Sequence, residues 1–447
     1  MLIGMRNAIL AGGAAPGPTP AYWGLCFTAE EPNCMVNMAR EGTVDLNNKA
    51  PVTLEYSTDD CETWTEFDAT GKKTTPITLA NIGDHVFFRA GEGGNDRFAY
   101  HMGAYRHFTL TGNVAASGNI MSLLDASNHS NYSLSGHSAL ALAFLFYGCP
   151  SLTTAPLLPA TSLANGCYRQ MFYGCTSLTT APSLPATSLA DSCYRQMFYG
   201  CKSLTTAPSL PATTLVSNCY CQMFSGCTSL TTAPLLPATT LATYCYNSMF
   251  TGCTSLTTAP LLPATSLANG CYLQMFYGCT SLTTAPSLPA TTLVSNCYES
   301  MFSGCTSLTT APLLPATTLV PKCYRSMFYG CTSLTTAPSL PATSLADSCY
   351  CKMFYGCPSL TTAPSLPATT LVSNCFKEMF VGCSLIDEIE VEFTSWTSDD
   401  YVQTTSWLSG VAATGTFYCP TALGTNATIT RGVSACPEGW TVINTDA

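Results

Sequence analysis

Charged side chains are scarce in this 447-residue sequence, at 9%, and they are unevenly placed. Residues 1–148 hold 8 basic and 14 acidic side chains, 149–383 hold 7 and 4, and 384–447 hold 1 and 8. No dense basic surface is available to displace the counterions of a phosphate backbone, so nucleic-acid binding is not expected. Runs of eighteen or more apolar residues are also lacking, which excludes insertion into a membrane as an apolar helix. Histidine is rarer still. His85, His101, His107, His129 and His137 are all there are, and none has the spacing of a metal site or a catalytic triad. The central stretch carries only Asp191, Glu299, Asp347 and Glu378 as acids, too sparse for paired-carboxylate catalysis. Serine is plentiful, but no G-x-S-x-G elbow or phosphate loop frames it. The expectation is a protein that is not an enzyme and needs no cofactor or metal.

What is present is apolar and repetitive. Apolar residues make up 47% of the chain, too many for disorder. Cysteine recurs every 26 residues at 149, 175, 201, 227, 253, 279, 305, 331, 357 and 383, and a second series runs from 167 to 375 with the same step. The quoted unit "CTSLTTAPSLPATSLADSCYRQMFYG" (175–200) is one of nine near-copies. A fixed period of this length indicates one supersecondary unit stacked on itself.

Within that copy, two prolines in four residues (Pro182, Pro185) forbid helix and leave an extended segment with a strand no longer than Thr-Thr-Ala. Leu189, Cys193 and Met197 fall at i, i+4 and i+8, with Tyr194 and Phe198 beside them and Gly200 after. That spacing predicts a helix with an apolar stripe. The expected fold class is therefore an α/β repeat solenoid, a short strand or extended segment plus a helix per coil. The cysteine intervals of 18 and 8 match neither a zinc pattern nor a small disulfide framework, so reduced, buried thiols stacked in ladders are expected. Cys221 and Cys351 stand at the twenty-first position of their copies, where others carry Arg, Asn or Glu, and are expected to face solvent. The pair Thr179-Thr180, on strand alternation, should send one threonine outward and one inward.

Comparing copies separates core from surface. Positions 17, 18, 21, 22 and 25 of the unit vary, and on a helix they form the stripe opposite the core. Candidate binding residues on that face are Arg169, Arg195, Gln196, Tyr199, Asn247, Glu299, Arg325 and Lys352. The invariant series Tyr168 to Tyr350 lies next to the core stripe and is expected to be packed rather than offered to sugars.

The Cys, the Leu three residues on, the "LP" near the middle, and the closing hydrophobic-Phe-x-Gly-Cys resemble the BspA-like (treponemal-type) leucine-rich repeats of bacterial surface proteins. The 26-residue period resembles the subgroup called surface-protein PARCEL repeats, known from gut bacteria and their phages. The resemblance covers about 235 residues. It implies adhesion to a host surface protein or glycan, from a virion surface, an extracellular location or a cell surface. No convincing signal peptide, lipobox or sorting tail is read in the chain. A phage tail-fibre or other virion component is therefore expected, with a bacterial adhesin or a plain spacer as alternatives.

The flanks differ from the repeats. Residues 1–20 read as a flexible leader. Residues 21–115 alternate apolar and polar side chains and read as an all-β sandwich, which on a virion would meet other virion proteins. Ser57 to Trp64 resembles an Asp-box hairpin, a structural turn in which Asp59 bonds its own loop. Residues 116–148 should cap the first coil, with a helix at Ala139–Phe146; 149–383 form the nine coils; 384–447 cap the last. Pairing of Cys419 with Cys436 stays open.

Overall fold

The structure, a computed structural model, describes residues 24–127, 132–396 and 403–446. The leader, His129 and part of the acidic stretch after Trp396 lie outside the described residues.

The N-terminal part is built from β1 (Leu25–Ala29), β2 (Cys34–Glu41), β3 (Leu54–Ser57), β4 (Thr65–Phe67), β5 (Ile77–Leu79), β6 (His85–Ala90), β7 (Ala99–His101), β8 (Ala104–Thr111) and β9 (Val114–Ser117). One sheet runs β9-β1-β6-β3-β4 and the other β5-β2-β8-β7. Between them Leu25, Phe27, Val36, Met38, Phe88 and Phe108 are buried, as period-2 alternation requires. The Ser57–Trp64 turn closes on Asp59, whose carboxylate accepts from the Ser57 hydroxyl at 2.6 Å and the Thr63 amide at 3.0 Å. Asp60 and Cys61 both hold positive φ, where such a turn ordinarily places glycine.

The sandwich does not end before the repeats begin. Strand β10 (Leu152–Thr154), in the first repeat, pairs parallel with β9, so the first coil extends the larger sheet. The cores join too. Phe27 meets Phe108 at 4.8 Å, Phe108 meets Phe146 at 5.8 Å, and Phe146 stacks on Phe172 of the first repeat at 5.3 Å. From there a phenylalanine ladder continues to Phe380, and a tyrosine ladder runs beside it from Tyr168 to Tyr350 and Phe376. The tyrosines are buried, as their place beside the core predicts.

Each coil stacks on the next with a 26-residue offset. In the extended half, single parallel bridges join the second threonines, Thr180 to Thr206, Thr206 to Thr232, and onward to Thr362. The two prolines per coil keep these bridges from growing into strands. Because the segment is not a regular pleat, Thr179 and Thr180 are both exposed, and so is each equivalent pair through Thr361 and Thr362. The expectation of a single outward row is corrected.

The predicted helix is corrected as well. Among the described residues, helix is confined to Leu46–Lys49 and the 3₁₀ turns Ile120–Leu123 and Thr421–Leu423. In its place stands a run of overlapping turns. The amides of Cys193, Arg195, Met197 and Tyr199 donate three residues back, to the carbonyls of Ala190, Ser192, Tyr194 and Gln196. The alternate amides, of Ser192, Tyr194, Gln196, Phe198 and Gly200, donate to Ser217, Cys219, Cys221, Met223 and Ser225 of the next coil. Ser192, Gln196 and Gly200 have φ of 58°, 56° and 70°, and the equivalent three positions are left-handed in every coil. A left-handed residue every fourth position cannot continue a helix. Ala139–Phe146 follows the same rule, with positive φ at Leu140 and Phe144.

The thiols stack as expected. Every ladder cysteine is unpaired and buried, and from Cys175 on the first of each coil donates to a carbonyl 29 residues back, just over one turn away, Cys201 Sγ to Phe172 O at 3.0 Å and Cys227 Sγ to Phe198 O at 3.1 Å. Burial pushes Cys227, Cys279 and Cys331 up to about 12. Cys221 and Cys351 are corrected: they are buried, not solvent-facing. A half-buried ladder covers them, and Cys221 Sγ lies 3.4 Å from Asn247 Oδ1 of the next coil. Cys419 and Cys436 are unpaired.

After Cys383 the chain keeps coiling. Strands β11 (Glu388–Glu390), β12 (Thr416–Cys419) and β13 (Thr441–Asn444) are parallel neighbours. Trp407 closes the tyrosine column, 6.0 Å from Phe376, with its indole N–H donating to Ala435 O at 3.0 Å. The larger ring fills the end of the core without stranding its polar atom. Among the described residues no helix is long and apolar enough to cross a membrane.

Candidate binding site

The turn run decides where the variable residues go. A four-residue period places positions 17, 21 and 25 of each coil in one row and 18, 22 and 26 in the next, while Cys, Met, Tyr and Phe point inward. The eight candidate residues therefore share one face, as side-by-side ladders rather than a helix surface. They are half-buried rather than exposed, because each leans on its counterpart one coil away.

Two groups emerge. At the first two coils stand Arg169, Arg195, Gln196 and Tyr199. The guanidinium of Arg195 reaches Asn218 Oδ1 at 3.5 Å, and Gln196 Nε2 donates to Gln222 Oε1 at 3.0 Å. Tyr199 stacks on Tyr173 at 4.7 Å, and Tyr173 on Tyr147 at 4.9 Å. Burial first, and the Arg195 charge second, lower the affinity of Arg169 for its proton. The second group lies at the sixth to ninth coils. Arg325 Nη1 is 3.6 Å from Glu299 Oε1, and Lys352 Nζ is 3.3 Å from Glu378 Oε2. Burial lifts the Glu299 carboxyl above its ordinary range, against the opposing pull of Arg325. Tyr329 stacks on Tyr355 at 4.8 Å. Asn247 belongs to neither group, and its amide donates to Leu273 O at 3.3 Å.

Tyr147, Tyr173, Tyr329 and Tyr355 were not among the candidates read from the sequence. For Tyr173, Tyr329 and Tyr355 a signal exists there, although Tyr147 and Tyr277 follow no base. A tyrosine at position 25 follows a base three or four residues earlier in Arg169/Tyr173, Arg195/Tyr199, Arg325/Tyr329 and Lys352/Tyr355. Where position 21 is Cys221, Asn247 or Glu299, position 25 is Ser225, Thr251 or Ser303.

Elsewhere, His85 Nε2 lies 2.6 Å from Asp60 Oδ1, and His107 and His137 lie 3.6 Å from Glu41 and 4.0 Å from Asp96. Among the described residues no three His, Cys, Asp or Glu side chains are grouped to hold a metal ion.

A family model described as BspA type leucine rich repeat region matches six copies over residues 143–272, 272–383 and 322–406. No curated protein and no solved structure matches the chain.

Proposed function

The chain belongs to the BspA-type leucine-rich-repeat family, and on that footing we propose that it is a non-enzymatic adhesion protein whose ladder face grips a host surface molecule. The observation that carries this reading is the division of labour within each coil. The inward ladders hardly change from copy to copy, whereas the outer ladders change in charge and size while keeping the same backbone. The scaffold repeats and the surface does not, the arrangement by which stacked-repeat proteins build extended binding faces.

We place it on a virion, as a tail-fibre or similar component, with the sandwich facing other virion proteins. Its thiols support this. The first cysteine of each coil is spent as a donor to a carbonyl, an arrangement suited to folding in a reducing cytoplasm. Display on a bacterial cell is the second reading, favoured by the family itself. Removing whole 26-residue coils tests the binding role. Stepwise loss of affinity for host cells, as coils are deleted in frame, is the expected result. Unchanged affinity with altered reach would make the stack a spacer and overturn the proposal.

A further inference from the structure

Two kinds of charged contact occur on the ladder face. Where Arg325 and Lys352 sit, the neighbouring coil supplies Glu299 or Glu378, so each half-buried cation meets a carboxylate. At the first two coils the chain instead stacks arginine on arginine. Among the described residues neither Arg169 nor Arg195 forms an ion pair, and Asp191, four residues before Arg195, is exposed to solvent. Both Nε atoms are buried without a hydrogen-bond partner. Two guanidiniums one coil apart repel each other, and burial weakens the solvent screening that would mask this. Packing alone gives no reason to set like charges side by side in a ladder that elsewhere sets Glu299 beside Arg325.

The surroundings suit an incoming anion. Tyr147, Tyr173 and Tyr199 stack face to face beside the pair, with interplanar angles of 17° and 1°. Tyr173 is covered on both faces, so it presents its edge and hydroxyl rather than a platform. Gln170 and Gln196 occupy the adjoining row. The guanidinium fork matches a planar or tetrahedral oxyanion through paired N–H donors, and hydroxyl and amide groups beside it match a polyhydroxylated carrier.

We propose that Arg169 and Arg195, flanked by Tyr173 and Tyr199, form a binding site for an oxyanion, the carboxylate or sulfate of an acidic glycan. The site rests on the adhesion reading and names its ligand class. The second basic group, neutralised by its own glutamates, is not such a site.

Binding of the full chain to sialyl-lactose, sulfated lactose and plain lactose tests it, with wild type, Arg169→Gln/Arg195→Gln and, at an exposed lysine off the ladder face, Lys202→Gln compared. Wild type is expected to bind one or both acidic sugars at least tenfold tighter than lactose. The double variant should lose that preference and Lys202→Gln should keep it. The two acidic probes separate a carboxylate source from a sulfate source. Because the substitutions remove mutual repulsion, the double variant should melt no lower than wild type in the absence of sugar. Equal binding of lactose, no binding of either acidic probe, or full retention by the double variant overturns the site. So does a lower melting temperature of the ligand-free double variant, which would show that the arginines serve packing. Coil-dependent binding of host cells that survives the double substitution would sink this site and leave the adhesion reading standing. Loss of coil dependence would remove both.

Discussion

The inner tyrosines show what a ladder position demands of a side chain. Tyr168, Tyr194 and Tyr298 keep buried hydroxyls with no partner among the described residues. A buried, unpartnered hydroxyl costs on the order of 1–3 kcal/mol. At the ninth coil the same column carries Phe376, stacked 6.0 Å from Tyr350. The ring is what the position requires, and the hydroxyl contributes little at the centre of the stack. Tyr194→Phe is thus expected to raise the unfolding free energy by about 1 kcal/mol, measured by urea denaturation at neutral pH. A loss of similar size would mean that the hydroxyl is satisfied in solution.

The turn run makes an equally direct prediction at the scale of the element. Ser326 has φ 53°, and its side chain forms no hydrogen bond among the described residues. In a helix, alanine would be better than glycine there by about 1 kcal/mol. In a left-handed turn the order inverts, since a Cβ costs roughly 1–2 kcal/mol and glycine escapes it. Ser326→Gly should be more stable than Ser326→Ala in the same denaturation assay; the helical order would refute the turn assignment. This inversion also explains where the sequence was readable. Burial at Leu, Cys, Tyr, Met and Phe was legible because a residue that stacks on its own copy must repeat. The helix was not, because over eight residues an i, i+4, i+8 stripe arises from a 3.6-residue helix and from a four-residue turn alike. The mark, a partial one because Gln, Ser, Lys and Glu fill the middle left-handed position of every coil, was the residue type at the other two. Gly166, Asn218, Gly270, Asn296 and Asn374 stand at one of them and glycine at Gly174, Gly200 and their equivalents. Only glycine and asparagine tolerate that conformation readily. Reading the backbone as helix also sent Cys221 and Cys351 outward, although the ladder buries them.

At the scale of the whole molecule, many equal small terms act together. Ten thiols of one series and nine of the other are buried, and burial raises those such as Cys149, Cys167, Cys271 and Cys323 from an ordinary 9.0 to about 12. A raised folded value means that the unfolded chain releases its thiol protons first. The thiols' contribution is therefore fully present below pH 9 and falls as the pH climbs toward 12. At pH 10 each unfolded thiol gains about 1.4 kcal/mol from ionisation, or roughly 25 kcal/mol over both ladders. A chain of this length is stabilised by on the order of 20–65 kcal/mol, so the coils should unfold between about pH 10 and 11. No comparable loss is expected between pH 6 and about 7.5, where thiols and tyrosines stay largely protonated in both states. Circular dichroism across that range, with reductant present, reads the outcome. Coils that stay folded well past pH 11 would show that the thiols ionise without cost, and hence that water reaches ladders the structure closes to it.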